Sequence, residues 1–101
     1  MNVVAVVPAY NEQLTIGTVI DKTTPHVDEV VVVDDGSSDD TAALARDHDA
    51  TVVTHVVNTG VGGAVRTGYR YAIRHDYDLV AQIDGDGQHD PAYLPKPLEI
   101  G

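Results

Sequence analysis

Four short runs of apolar, mostly β-branched residues, at 3–7, 29–33, 51–57 and 79–83, recur along this chain with helix-type segments between them. The runs are continuous rather than alternating, the pattern of strands buried on both faces. Strands that alternate with helices build βαβ units, whose crossovers are right-handed and whose sheet is parallel. The expected fold class is therefore α/β, a Rossmann-like parallel sheet with helices on both faces. In a mononucleotide-binding half the strand order is 3-2-1-4, so the winding reverses between strands one and four. Ligands bind at that switch point, beyond the carboxyl ends of the strands.

The connecting segments follow from their punctuation. Pro8-Ala9-Tyr10-Asn11 ends the first strand, and Asn11 is placed to cap a helix over residues 12–22, with Ile16, Val19 and Ile20 on one face. Pro25 ends that segment. Asp34-Asp35-Gly36-Ser37-Ser38 reads as a turn, with residues 38–41 capping a short Ala-rich helix that runs to Arg46. The third strand is more polar and is expected near an edge. Asn58-Thr59-Gly60-Val61-Gly62-Gly63 opens the clearest helix, where Val65, Gly68, Tyr69, Ala72 and Ile73 form an apolar stripe. Arg66, Arg70 and Arg74 form a second, solvated stripe, of which Arg66 alone stands near the glycine loop. His26, His48, His55 and His75 show no ligand spacing and read as surface residues. Residues 91–99 would begin a last helix, made irregular by Pro95 and Pro97.

Composition excludes several classes. A chain of 101 residues makes one small domain, and its apolar 43% is aliphatic, with no Phe or Trp. The absence of cysteine removes disulfide scaffolds and thiolate metal sites. No run approaches the ~20 apolar residues of a membrane span, and Met1-Asn2-Val3 lacks the basic start of a signal peptide, so a cytoplasmic location is expected. The net charge of -10 argues against nucleic acid or anionic lipid as a direct partner. Most of the acid is Asp and the only lysines are Lys22 and Lys96, a halophilic composition in which concentrated salt relieves self-repulsion. A phosphorylated ligand would be repelled by such a surface unless a divalent cation intervened.

The polar residues gather where the switch point predicts. Asp84-Gly85-Asp86-Gly87-Gln88-His89 directly follows the fourth strand. An Asp-x-Asp there can hold Mg²⁺ or Mn²⁺ through hard oxygen ligands with positions left for phosphate. A plain turn competes with this reading. A calcium EF-hand loop does not, because His89 and Pro95 replace its glycine and its final glutamate. Asp35, ending the second strand, stands where a carboxylate takes a ribose or base edge, against the competing reading of a helix-capping turn. The loop at Gly60 fails the dinucleotide fingerprint, since Val65 holds the third glycine position, and no Gly-Lys-Ser/Thr occurs. It reads as a flexible loop with close helix packing, although its backbone N–H groups remain able to meet phosphate.

Taken together, Val7-Pro8-Ala9-Tyr10-Asn11-Glu12, Val32-Val33-Asp34-Asp35-Gly36-Ser37-Ser38-Asp39, Asn58-Thr59-Gly60 and Asp84-Gly85-Asp86-Gly87-Gln88-His89-Asp90-Pro91 resemble the family-2 glycosyltransferases, and within them the dolichyl- or polyprenyl-phosphate sugar transferases. The resemblance implies a GT-A fold and a nucleotide-sugar donor of the GDP-mannose or UDP-glucose type. It implies that Pro8, Tyr10, Glu12, Val33 and Asp35 line the nucleoside pocket, with Asp84, Gly85 and Asp86 at the donor diphosphate. The cation, Mg²⁺ or Mn²⁺, would be held by Asp84, Asp86 and Gln88. Relatives often carry a lysine near Val61, which is missing here.

Family members continue into a second half that binds the acceptor and supplies a base. Residues 1–101 are therefore expected to be the nucleotide-sugar-binding part of a glycosyltransferase domain, truncated at its carboxyl end. The implied reaction is inverting, metal-dependent sugar transfer to an acceptor such as polyprenyl phosphate, at the inner face of the membrane in a full-length form. No catalytic residue is assigned. The isolated chain is expected to bind donor weakly, to self-associate and to transfer little sugar. The alternative is a non-catalytic nucleotide-binding or assembly module. A sugar nucleotidyltransferase fits less well, because Pro8-Ala9-Tyr10-Asn11-Glu12 has no basic residue.

Overall fold

The computed structural model describes residues 2–85 and the backbone of Lys96–Pro97. The elements run β1 (Val3–Ala9), α1 (Ile16–Thr23), a 3₁₀ turn (Thr24–His26), β2 (Glu29–Asp34), α2 (Thr41–Asp47), β3 (Thr51–Thr54), α3 (Val61–Arg74), β4 (Leu79–Gln82) and β5 (Lys96–Pro97). The sheet order is β3-β2-β1-β4-β5. The first four strands are parallel and β5 pairs antiparallel with β4. This is the α/β architecture and the 3-2-1-4 order read from the sequence. The helix expected over residues 91–99 is not found at Lys96–Pro97, which lie as a short strand instead.

Period-two geometry explains why the strand runs are apolar throughout. Ala5, Val7, Val30 and Val32 point to one face, where they meet Ile16, Val19 and Ile20 of α1 and Ala45 of α2. Val4, Val6, Val31 and Val33 point to the other and meet Ala64 and Ala72 of α3. The first two crossovers thus lie on one face. The third runs from edge strand β3 back across to β4, and reversing direction with the same hand puts α3 on the opposite face.

Two boundaries differ from the sequence reading by several residues. The first helix begins at Ile16 rather than residue 12. Asn11 sits at φ 54°, in the left-handed region, and the N–H groups of Thr15 and Ile16 both donate to the Glu12 carbonyl, so residues 12–15 form a turn ahead of the helix. The third strand stops at Thr54 rather than residue 57. Val56 and Val57 are exposed, so no burial rewards extending the strand.

Of the apolar stripe expected on α3, Gly68 and Ala72 are buried, together with Ala64, whereas the larger Val65, Tyr69 and Ile73 are not. Tyr69 and Ile73 are 37% and 43% exposed. Helix α3 lies close on the valine surface of the sheet, and only small residues fit there. A Cβ on Gly68 would stand 2.1 Å from Val6 Cγ1.

The amino-terminal edge of the sheet is closed by a polar knot. The Glu29 carboxylate accepts from Thr51 Oγ1 at 2.6 Å, Tyr71 OH at 2.7 Å and Tyr77 OH. The Tyr71 ring also stacks on His75, with centroids 4.1 Å apart. Burial pushes the Glu29 carboxyl pKa up, but its three hydroxyl donors outweigh that and hold it below the ordinary value.

Candidate functional site

A cleft of about 540 Å³ opens at the carboxyl ends of the strands. Its lining comes from the three loops expected to meet there and from the amino end of α3: Pro8, Ala9, Tyr10 and Glu12 after β1, Asp35 after β2, Asn58, Gly60, Val61 and Ala64, and Asp84 and Gly85 after β4. Among the described residues the lining contains three carboxylates and no Lys, Arg or His. Of the residues expected at the nucleoside and diphosphate, Pro8, Tyr10, Glu12, Asp35, Asp84 and Gly85 are brought together here. Val33 stands apart: its side chain is fully buried among Val4, Val6 and Val31 under α3. Asp86 and Gln88 lie outside the described residues, as does His89. Arg66, the cation nearest the glycine loop in sequence, is exposed and is not part of the lining.

Side-chain bridges set the loops against one another. The Asn11 N–H donates to Ser37 Oγ at 2.9 Å, and the Ser38 N–H donates to Asn11 Oδ1 at 2.9 Å. Asn11 therefore joins the β1 and β2 loops instead of capping α1. The Thr41 hydroxyl accepts the Glu12 N–H at 2.9 Å and donates to Asp39, which also accepts the Thr41 N–H at 3.0 Å, at the first residue of α2. Burial raises the Asp39 pKa, but the Thr41 hydroxyl and the surrounding N–H donors bring it below the ordinary carboxylate value. On the other side, Thr15 Oγ1 lies 2.7 Å from the Gly85 carbonyl and 3.3 Å from Glu12 Oε2. A hydroxyl has one proton, and the shorter contact assigns it to Gly85. The same turn presses on β1, since a Cβ on Gly85 would stand 3.1 Å from the Pro8 carbonyl oxygen.

Asp35 is held by an extensive set of hydrogen bonds. It is 3% exposed. Its carboxylate accepts from His55 Nδ1 at 2.7 Å, Thr59 Oγ1 at 2.7 Å, the Thr59 N–H at 2.9 Å and the Gly60 N–H at 2.8 Å. Burial alone would raise its pKa, but His55, Thr59 and Gly60 together hold the ionised form and lower it. His55 is not the surface residue that the absence of ligand spacing suggested. Its side chain is 17% exposed, and Nε2 lies 2.8 Å from Thr67 Oγ1 on α3. His48 also has a partner, Asp21, at 2.9 Å on the surface. The signal that finds His55 is register. Asp34 pairs with Thr54 in the parallel β2–β3 ladder, so the next residues, Asp35 and His55, emerge side by side.

With this geometry in hand, similarity to other proteins is decisive about kinship. The sequence model of glycosyl transferase family 2 matches residues 4–100. The chain belongs to glycosyl transferase family 2. It is 37% identical over 108 residues to an undecaprenyl-phosphate mannosyltransferase of Micrococcus luteus, covering 98% of this chain and 44% of that protein. It is 30% identical to a UDP-N-acetylglucosamine–dolichyl-phosphate N-acetylglucosaminyltransferase of Methanococcus voltae, covering 93% of this chain and 45% of the relative. The crystal structure of glucosyl-3-phosphoglycerate synthase from Mycobacterium tuberculosis with Mn²⁺ and UDP-glucose superposes with a TM-score of 0.70 at 36% identity, covering 84% of this chain and 33% of that one. The fold is thus that of the GT-A glycosyltransferases. The chain spans less than half the length of the curated relatives it matches. Among the described residues no helix is long and apolar enough to cross a membrane.

Proposed function

We propose that this chain is the donor-binding part of a metal-dependent glycosyltransferase that takes its sugar from a nucleotide diphosphate donor and delivers it to an acceptor such as polyprenyl phosphate. The observation that carries the reading is the charge of the cleft. Glu12, Asp35 and Asp84 line it, and among the described residues no cationic side chain joins them. A diphosphate entering it is repelled by these carboxylates, and a cation that comes with it offsets that charge. The oxygen-only character of Asp84, and of Asp86 and Gln88 beyond it, suits a hard divalent ion such as Mg²⁺ or Mn²⁺. Among the described residues no three acidic or imidazole side chains converge on one point, so Asp84 would need those two later residues or the donor's own oxygens to complete the ligand set. Such an ion, when bound, neutralises the charge that builds on the leaving diphosphate.

The chain's own residues divide the remaining work. Tyr10, 48% exposed at the mouth, offers a ring face to the nucleoside, and Pro8 gives it an apolar wall. Asp35 offers a carboxylate oxygen to a base or ribose donor. Thr15, through the Gly85 carbonyl, keeps the acidic turn in register with the β1 loop. Mn²⁺ in a structural neighbour crystallised with UDP-glucose supports the cation, and the polyprenyl-phosphate and dolichyl-phosphate relatives support the acceptor class.

The test is calorimetric titration of UDP and GDP into the 101-residue chain at high salt, with Mn²⁺ and then with EDTA. Binding should be at least about tenfold tighter with the metal, and Asp84→Asn or Asp86→Asn should remove that difference while leaving the fold intact. Equal affinity with and without metal would refute the cation's role.

A further inference from the structure

We infer that His55 is a positioning residue for the nucleoside end of the cleft, fixing one oxygen of Asp35 so that the other is presented to the ligand. The inference rests on the donor-site reading above. An ionised carboxylate has about four lone-pair sites. At Asp35 four protein donors already claim them. Oδ1 takes His55 Nδ1 and Thr59 Oγ1, both at 2.7 Å, and the shorter share of the Thr59 N–H. Oδ2 takes the Gly60 N–H at 2.8 Å and the longer share of the Thr59 N–H, at 3.1 Å. A base N–H or ribose hydroxyl is therefore accepted only by replacing one of these donors.

The four are not equally replaceable. His55 is clamped on three sides: its Nδ1 by Asp35, its Nε2 by Thr67 at 2.8 Å, and its backbone N–H by the Asp34 carbonyl at 2.9 Å. An ionised carboxylate only accepts, so Nδ1 carries the proton, and in the neutral ring Nε2 accepts from the Thr67 hydroxyl. Gly60 is the opposite case. It is exposed, lines the cleft at φ 84°, and its N–H already has a second acceptor in Asn58 Oδ1 at 3.1 Å. The exchange therefore occurs at Oδ2, where the ligand's donor takes the place of the Gly60 N–H while His55 keeps Oδ1 still. Without His55 the carboxylate is free to turn toward Thr59 and Gly60, and orienting it becomes a cost of binding.

Three substitutions separate this role from a merely structural one. His55→Leu removes both nitrogens, His55→Gln moves an amide toward the Thr67 position, and His55→Asn leaves an amide nitrogen where Nδ1 stood. Each is titrated by calorimetry with UDP and with GDP in Mn²⁺, and with Mn²⁺-pyrophosphate, which has a diphosphate but no nucleoside. The Leu and Gln variants should bind both nucleotides about tenfold more weakly, with pyrophosphate unchanged, and Asn should restore most of the loss. If the Leu variant fails to fold, the Gln and Asn pair carries the comparison. Unchanged nucleotide binding in the Gln variant, a parallel loss of pyrophosphate, or failure of Asn to rescue would each overturn the inference. Asp35→Asn, titrated alongside, distinguishes the two levels. Full nucleotide affinity in Asp35→Asn sinks the donor-site reading itself, whereas a loss confined to Asp35→Asn sinks only the role of His55.

Discussion

Replacing Gly68 with alanine puts a methyl group into the tightest contact between α3 and the sheet. The new carbon would lie 2.1 Å from Val6 Cγ1 and 3.1 Å from Val6 Cβ, where ordinary carbon contacts begin near 3.5 Å. Val6 is fully buried, so it has no solvent to swing into. Relief requires α3 to lift by more than about 1 Å or Val6 to leave its rotamer, and overpacking of this kind costs about 3 kcal/mol. Alanine returns about 1 kcal/mol through its helix propensity, leaving a net loss of about 2 kcal/mol. Val6→Ala alone should also cost about 2 kcal/mol, since it deletes two buried methyl groups and leaves a small void. In the double variant the new methyl occupies the space the old ones left. The pair should therefore lose only about 2 kcal/mol, where independent sites would lose about 4 kcal/mol. The assay is urea unfolding followed by circular dichroism; urea is uncharged and leaves the repulsion within a chain of net charge -10 unaltered. Additive losses, or a Gly68→Ala chain as stable as the parent, would refute the close-packing account of α3.

Two further outcomes follow from the site. Because Asp35 has a lowered pKa in the folded state, its stabilising contribution is complete above the unfolded carboxyl pKa of about 4 and is lost as pH falls through the lower folded value. In high salt, the urea midpoint of the parent should exceed that of Asp35→Asn at pH 7 and approach it below about pH 4; a gap that does not change with pH would contradict this. Gly85→Ala should cost about 1 kcal/mol in stability, because the added methyl meets the Pro8 backbone oxygen at 3.1 Å and the end of β1 must give. Its larger effect should be a several-fold loss of Mn²⁺-dependent nucleotide binding, and intact binding would show that the acidic turn tolerates displacement.

The strand order was legible because it depends on gross pattern: runs of valine buried on both faces leave few topologies, and the carboxyl-end loops follow from the order. What the pattern did not reveal was set by contacts between segments distant in sequence. Asn11 has the composition of a helix cap, yet its backbone is left-handed and its side chain serves the β2 loop instead. The apolar pattern of α3 includes the buried Gly68 and Ala72 but does not show that the helix rests on its small residues alone. Against a flat valine sheet the helix comes so near that Ala64, Gly68 and Ala72 fill the contact and Tyr69 and Ile73 are turned outward. Spacing along the chain does not reveal His55. Its partner is twenty residues away and adjacent only through the β2–β3 register.

The knot around Glu29 has a consequence for how the domain opens. One carboxylate there joins β2, the start of β3, α3 and Tyr77 in the turn leading to β4, all at the end of the sheet opposite the cleft. Separating any of those elements would strand a carboxylate or a hydroxyl, so partial opening at that end is disfavoured. At the other end residues 58–60 lie in an exposed loop held chiefly by the Asp35 carboxylate, so that loop can open without disturbing the valine layers. Fluctuations are therefore hinged, with the Glu29 edge as the spine. Amides of residues 30–33 should exchange with solvent only through global unfolding, and those around residues 58–60 through small excursions. A ligand seated in the cleft would be read first as slowed exchange at that free edge, well before any change at the spine.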